Sequence, residues 1–342
     1  MDKETLEESG LNRRNLLKVG GASAVLLGAS SVIGTPFAAA ATKNAAVQRG
    51  KKVTCVIHDL NPFFVPLERG FREFGKSMGW KVNYVGPTGQ DIQKTVELQA
   101  AAIASKPDGV IFTRIDDKAF DANIKKAQSR GIKVVLTNVG SAGYEALSVP
   151  FVGQDFVPAG KIAGIQGATY AKKKTGKTSG VILIGNFAPG NSALEDRAAG
   201  AKQGVAAYNS SNGTSYTTEV LVTSSDEAKA SAIIEARLAK GDVVGYIGTE
   251  FSHQFFGNVM KRKGLKLSNG GFDLVQPVLQ GIRAGNIDFT LDQNPWAQGW
   301  VASSLLAMEM SPGFKSFSYD TGSAVIDSKN IRAIIKREAV FA

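Results

Sequence analysis

The chain of 342 residues contains one cysteine, Cys55, and only two histidines, His58 and His253. A lone cysteine cannot close an internal disulfide, and its apolar neighbours in VTCVIH mark a buried, inert thiol. So few sulfur and imidazole groups give no basis for a His/Cys metal site or a Cys–His nucleophile dyad. His58 and Asp59 are adjacent, and neighbouring strand residues point to opposite faces, which argues against a catalytic pair; His58 reads as a cleft-edge hydrogen bonder or a core residue. The glycines of GNFAPGNSALEDR (185–197) lack Gly-x-Gly-x-x-Gly spacing and a P-loop lysine, so no nucleotide cofactor is indicated. Basic clusters are also scarce. The formal charge is +10, yet the Lys and Arg are largely scattered, and the run AKKKTGK (171–177) has no interleaved aromatics for base stacking. It reads as a solvated loop, and nucleic acid is not an expected partner.

What is present is a globular composition, 43% hydrophobic and 20% charged. Val/Ile-rich strands are expected at KVTCVIH (52–58), KVNYVGP (81–87), DGVIFTRI (108–115) and KVVLTNVG (133–140). Helical stretches separate them near 64–78, 91–105 and 117–130, the last starting at Asp116–Asp117 and stopping at Gly131. The strands lack clean alternation, as in parallel sheets covered on both faces. The pattern restarts with SGVILIGNF (179–187), YTTEVLVTS (216–224), VVGYIGTE (243–250) and KLSNGGFD (266–273), with helices near 191–208, 226–239 and 253–263. Two such series imply two doubly wound α/β lobes with right-handed crossovers. NIDFTLDQNPW (286–296), a helix near 297–310, FSYDTGSAVID (317–327) and NIRAIIKREAV (330–340) are surplus elements. They fit crossings near 154–157, 291–295 and 322–327 and a three-stranded hinge. The implied lobes are 51–154 with 294–324, and 155–293 with 325–342.

At the N-terminus NRRNLLK (12–18) precedes the apolar VGGASAVLLGASSVIG (19–34), too short to span a bilayer comfortably, and then FAAAATK (37–43). An arginine pair, a mild apolar region and small residues resemble a twin-arginine export signal over 1–40, cleaved near Ala40. An uncleaved anchor is the alternative. The expected location is the periplasm.

NPFFVPLERGF (61–71), PDGVIFTRIDDKAF (107–120), GIKVVLTNVG (131–140), GQDFVPAGKIAG (153–164), EDRAAGAKQGV (195–205), GGFD (270–273) and TLDQNPWAQGW (290–300) together resemble the type I periplasmic sugar-binding proteins, the ribose-binding-like receptors of ABC importers. The resemblance spans 51–342 and rests on order and spacing. It implies a non-enzymatic monomer closing on a monosaccharide or polyol and presenting it to a membrane permease. Aromatic rings would cover the sugar's C–H faces while polar side chains bond its hydroxyls. By that resemblance Phe63 and Phe64 form a wall of the slot, although one of them is also a candidate for lobe interior. Asn61 is a first-loop hydroxyl contact, and Asn138 stands in the place of a ligand aspartate. Val139 and Glu195 fall where ribose-binding members carry arginine, with Arg197 two residues on, which departs from a ribose pocket. Thr249 and Glu250 align with a fifth-strand pair, and Asp273 and Gln293 match ligand positions. Trp296 is a further candidate stacking ring. Arg114 is a candidate hydroxyl donor beside Asp116, itself a candidate helix cap. Ligand delivery to a chemoreceptor or sensor kinase, and a sugar-modifying enzyme using Asp59, Glu250 or Asp273, stay open as alternatives.

Overall fold

The computed structural model describes residues 49–314 and 317–341; the export-signal reading of 1–40 lies outside the described residues. The first strand, β1 (Lys52–Val56), shows why these segments become sheet. Val53 and Cys55, with Ile57 beyond, point into one apolar cluster, and Val56 points into another on the opposite face. A strand apolar on both faces is stable only between two helical layers. The series continues with α1 (Val65–Ser77), β2 (Lys81–Val85), α2 (Ile92–Ala104), β3 (Gly109–Phe112), α3 (Asp121–Ser129), β4 (Lys133–Asn138) and β5 (Phe151–Gly153). Helix α3 starts later than the acidic pair suggested. Asp116 instead accepts from the amides of Lys118 and Ala119, so it caps a tight turn and not the helix.

The second series is α4 (Phe156–Thr175), β6 (Ser179–Asn186), α5 (Ser192–Asn212), β7 (Ser215–Val222), α6 (Glu227–Leu238), β8 (Val243–Gly248), α7 (His253–Lys263), β9 (Ser268–Phe272), α8 (Gln276–Ala284) and β10 (Phe289–Asp292). The chain ends with α9 (Pro295–Glu309), β11 (Tyr319–Asp320), β12 (Ala324–Asp327) and α10 (Ile331–Glu338). Two six-stranded sheets result, ordered β11-β5-β4-β3-β1-β2 and β12-β10-β9-β8-β6-β7. All pairings are parallel except β10 with β12. Each sheet reverses its winding at its first strand, which places the C-terminal ends of β1 and β3, and of β6 and β8, beside a crevice.

Three passages join the sheets. After β5 the chain leaves the first sheet through Gln154–Asp155, and α4 packs on α5 of the second lobe. After β10 it returns through Gln293–Asn294, and α9 packs on α1 of the first lobe. Residues 321–323 then link β11 in the first sheet to β12 in the second. The α4–α5 packing depends on small residues. A Cβ on Gly200 would lie 2.1 Å from the Val157 carbonyl, so only glycine admits that approach.

Candidate functional site

Strand ends and the loops after them build a cavity between the lobes. In the first lobe, Asn61 caps a short 3-10 turn over Pro62–Phe64, its Oδ1 accepting from the Phe63 amide at 2.9 Å. Asn61 Nδ2 donates to Asp59 (2.8 Å), and Asp59 also accepts from the Gly89 amide (2.9 Å), so the loop is pinned at both edges. The turn sets the Phe63 and Phe64 rings edge to face, 4.9 Å apart, with His58 edge-on to Phe64 at 5.2 Å. Both rings line the cavity and also pack on Cys55 and Ile57, so wall and core are one surface here. His58 is buried, and burial pushes its pKa down to about 3, so it is a neutral ring; among the described residues its Nδ1 has no partner.

Asn138 ends β4 with φ of 62° and lines the same cavity. Its Nδ2 donates to Gln293 Oε1 (3.3 Å) and Gln298 Oε1 (3.0 Å). Gln293, in the second passage between lobes, donates from Nε2 to Asp273 Oδ1 at 2.8 Å. One buried amide chain therefore links the fourth strand of each sheet. Asp273 follows β9 with φ of 77°, and burial raises its pKa against the opposing pull of Arg197 and Gln293.

Arg197, on α5, is buried with its face 4.2 Å from the Phe272 ring centre and 5.2 Å from that of Phe156. Its Nε and Nη2 donate to Gln154 Oε1, and Nη1 donates to the Thr249 carbonyl. Burial lowers its pKa to about 10, leaving it charged at neutral pH. Glu250, after β8, accepts from the Ser252 amide at Oε2 (2.6 Å), while among the described residues its buried Oε1 has no partner. Burial pushes this carboxyl up to about 8, and Asp273 adds to that shift.

The cavity thus gathers Asn61, Phe63, Phe64, Asn138, Arg197, Glu250, Asp273 and Gln293. Four candidates lie elsewhere. Arg114 is fully buried in the first lobe, donating to Asp121 and to the carbonyls of Asp117, Gly140 and Ala142; it staples loops and does not reach the cavity. Thr249 turns its hydroxyl to the Gly185 carbonyl (2.9 Å), and only its own carbonyl acts here, on Arg197. Glu195 falls on the outer face of α5, where it accepts from Asn186 and the Gly190 amide. Trp296 donates to Glu73 and stacks on Trp300 at 5.3 Å, between α9 and α1.

The sequence reading passed over Gln90, Phe156, Phe187, Asn191, Leu194 and Phe251, all of which line the cavity. Phe187 and Phe251 directly follow β6 and the β8 turn, so the strand-end rule that singled out Phe63 would have found them too. Asn191 Nδ2 donates to Gln90 Oε1 at 2.9 Å, and the Ser192 amide donates to the Ile115 carbonyl at 3.2 Å. The lobes are therefore bonded to each other at the cleft as well as through the passages behind it. The cavity is small, about 50 Å³ to a water-sized sphere. Among the described residues no group of three His, Cys, Asp or Glu side chains is placed to hold a metal ion.

Two doubly wound lobes, three passages and a shared polar and aromatic cavity define a two-lobed solute receptor. The model of the periplasmic binding protein domain matches residues 35–313, and the chain belongs to that family, in its ribose-binding-like type I form. The xylose/arabinose-binding protein of Sulfolobus acidocaldarius is 25% identical over 291 residues, covering 80% of this chain and 69% of that protein. A carbohydrate transporter from Acidothermus cellulolyticus, solved with myo-inositol, superposes with a TM-score of 0.74 at 23% identity, covering 85% of this chain and 99% of its own. An ABC transporter solute-binding protein from Burkholderia graminis, solved with D-arabinose, gives 0.73 at 22% identity, covering 83% and 97%.

Proposed function

We propose that this protein is the extracytoplasmic solute receptor of an ABC importer, capturing a monosaccharide or related polyol between its lobes and delivering it to a membrane permease. The observation that carries this reading is the cavity to which both lobes contribute, Phe63, Phe64 and Asn138 from one side and Arg197, Glu250 and Asp273 from the other. The rings cover C–H faces of the ligand, and Asn61, Asn138, Asp273 and Gln293 bond its hydroxyls. A polar site of this kind rejects a ligand lacking a matching hydroxyl, because a buried group is then left unpaired. The two pentoses named for the relative and the inositol and arabinose in the similar structures support a small polyol.

Closure follows from the same contacts. A ligand that touches both lobes binds the closed form better than the open one and shifts the population toward it. The bodies that move in this reading are 51–154 with 294–323 and 155–293 with 324–342, the expected boundary at 324 shifting by one because Ala324 already pairs with Asp292 in the second sheet. The permease reads the closed form, the receptor acts as a monomer, and the ligand leaves chemically unchanged. The 1–40 segment directs export by a twin-arginine route and is removed near Ala40. A thermal-shift panel of pentoses, hexoses, cyclitols and sugar alcohols tests the reading, since ligand selective for the folded form raises the melting temperature. Asp273→Ala abolishes the shift of any hit while leaving the unliganded protein folded; an unchanged shift would remove this cavity as the binding site.

A further inference from the structure

The cavity carries more acid groups than a neutral polyol can use. Two buried carboxylates, Glu250 and Asp273, line it against one cation, Arg197. That arginine is already committed to partners within the chain. Its Nε and both terminal nitrogens already donate to Gln154 and Thr249, and Phe156 and Phe272 cover its faces. The remaining titratable neighbours do not supply positive charge. His58 is neutral, Asp59 is held by Asn61 and Gly89, and Asp292 behind Asp273 is paired with Arg337. Among the described residues Glu250 Oε1 is buried without a partner, and ionising it there without a cation beside it is costly. Around these acids stand the rings of Phe63, Phe64, Phe187 and Phe251, whose faces attract a cation.

We propose that the cleft, taken as the ligand site above, binds a polyol bearing a protonated primary amine, an amino sugar or aminocyclitol, with its ammonium set between Glu250 and Asp273. A hydroxyl gives Glu250 one hydrogen bond and leaves it protonated, as burial already holds it. An ammonium gives several donors and favours the ionised form of both acids. Burial holds both carboxyls above their usual range in the empty cavity, and a cation beside them reverses that shift.

The test is calorimetry at pH 7 on the full chain with matched pairs: D-glucosamine and D-glucose, 1-amino-1-deoxy-D-arabinitol and D-arabinitol, scyllo-inosamine and scyllo-inositol. At least one amine binds tenfold or more tightly than its neutral counterpart, and N-acetylation removes that gain. The preference falls below threefold in Glu250→Gln or Asp273→Asn, each checked for a cooperative melt. Neutral members binding as well as or better than the amines in every pair would overturn the inference and leave the polyol-receptor reading standing. A preference undiminished in both folded variants also overturns it. If no member of any pair binds, the cleft reading itself falls, and this inference with it.

Discussion

Glu250 offers a measurement of how dry the cavity is. Its carboxyl has a pKa of about 8 in the folded chain against 4.5 ordinarily, because burial penalises the charged form. Between those values the folded protein holds the Glu250 proton more tightly than the unfolded chain does. The stabilising contribution is therefore complete below about pH 4.5 and is lost as pH rises to about 8. Each pH unit in that window is worth about 1.4 kcal/mol, so the wild type loses roughly 3 kcal/mol from this group between pH 6 and pH 9. Glu250→Gln keeps an oxygen for the Ser252 amide and has no charge to lose. The variant and the wild type should then diverge steadily with pH, the variant melting about 5 °C higher at pH 9 relative to pH 6 if unfolding entropy is about 0.6 kcal/mol per kelvin. His58 and Asp273 titrate in both proteins, so they largely cancel in the difference. Thermal unfolding followed by tryptophan fluorescence at pH 6, 7.5 and 9 reads the effect. Parallel melting curves would mean that Glu250 reaches water or a partner, and the claim of a desolvated cavity would fail.

Gln90→Ala removes the bond to Asn191 that ties the lobes at the cleft, so ligand affinity drops about fivefold, mostly through faster release in stopped-flow experiments, with little change in the unliganded melt. Arg197→Lys cannot bridge Gln154 and the Thr249 carbonyl together, and denaturant titration should show a loss of about 2–3 kcal/mol. Gly200→Ala drives a Cβ into the Val157 carbonyl at 2.1 Å, costing about 1–3 kcal/mol by the same assay.

The repeat of strands and helices was legible because it is written in periodicity. Runs such as VILIG and VVGYIG are apolar on both faces, and only a sheet covered on both sides satisfies them. Helix α8 was not legible: Pro277 and Gly281 interrupt a nine-residue stretch, yet the proline sits in the first turn, where its missing N–H has no cost. Helix α4 is long, but its buried face is mostly Ala and Gly, so it carries little amphipathic contrast beyond the motif GKIAG. At the site, local spacing named residues by position and not by facing. Glu195 and Arg197 are two apart on one helix, hence on different faces, and only Arg197 turns inward. Trp296 comes three residues after Gln293 in sequence, but the helix that starts at Pro295 carries its ring away from the cleft to Glu73.

The departure at Asn138, where an aspartate was the expected residue, has a reason that only the assembled lobes reveal. Asn138 and Asp273 end the fourth strand of their respective sheets, both in the left-handed region, which Asn and Asp tolerate better than most residues. Each thus turns a polar side chain toward the same amide, Gln293, in the passage between lobes. That amide has two unlike ends: its nitrogen donates to Asp273, which leaves its oxygen for position 138. The Gln298 oxygen faces position 138 as well, so the residue there meets two acceptors and must donate. A carboxylate at 138 has no proton to give, and flipping Gln293 to serve it would set the amide oxygen against Asp273. One carboxylate and one amide is therefore the pairing that satisfies the chain. A ligand bond to either residue is then felt by both lobes through a single glutamine, which makes the hydrogen bonds of binding and those of closure one network.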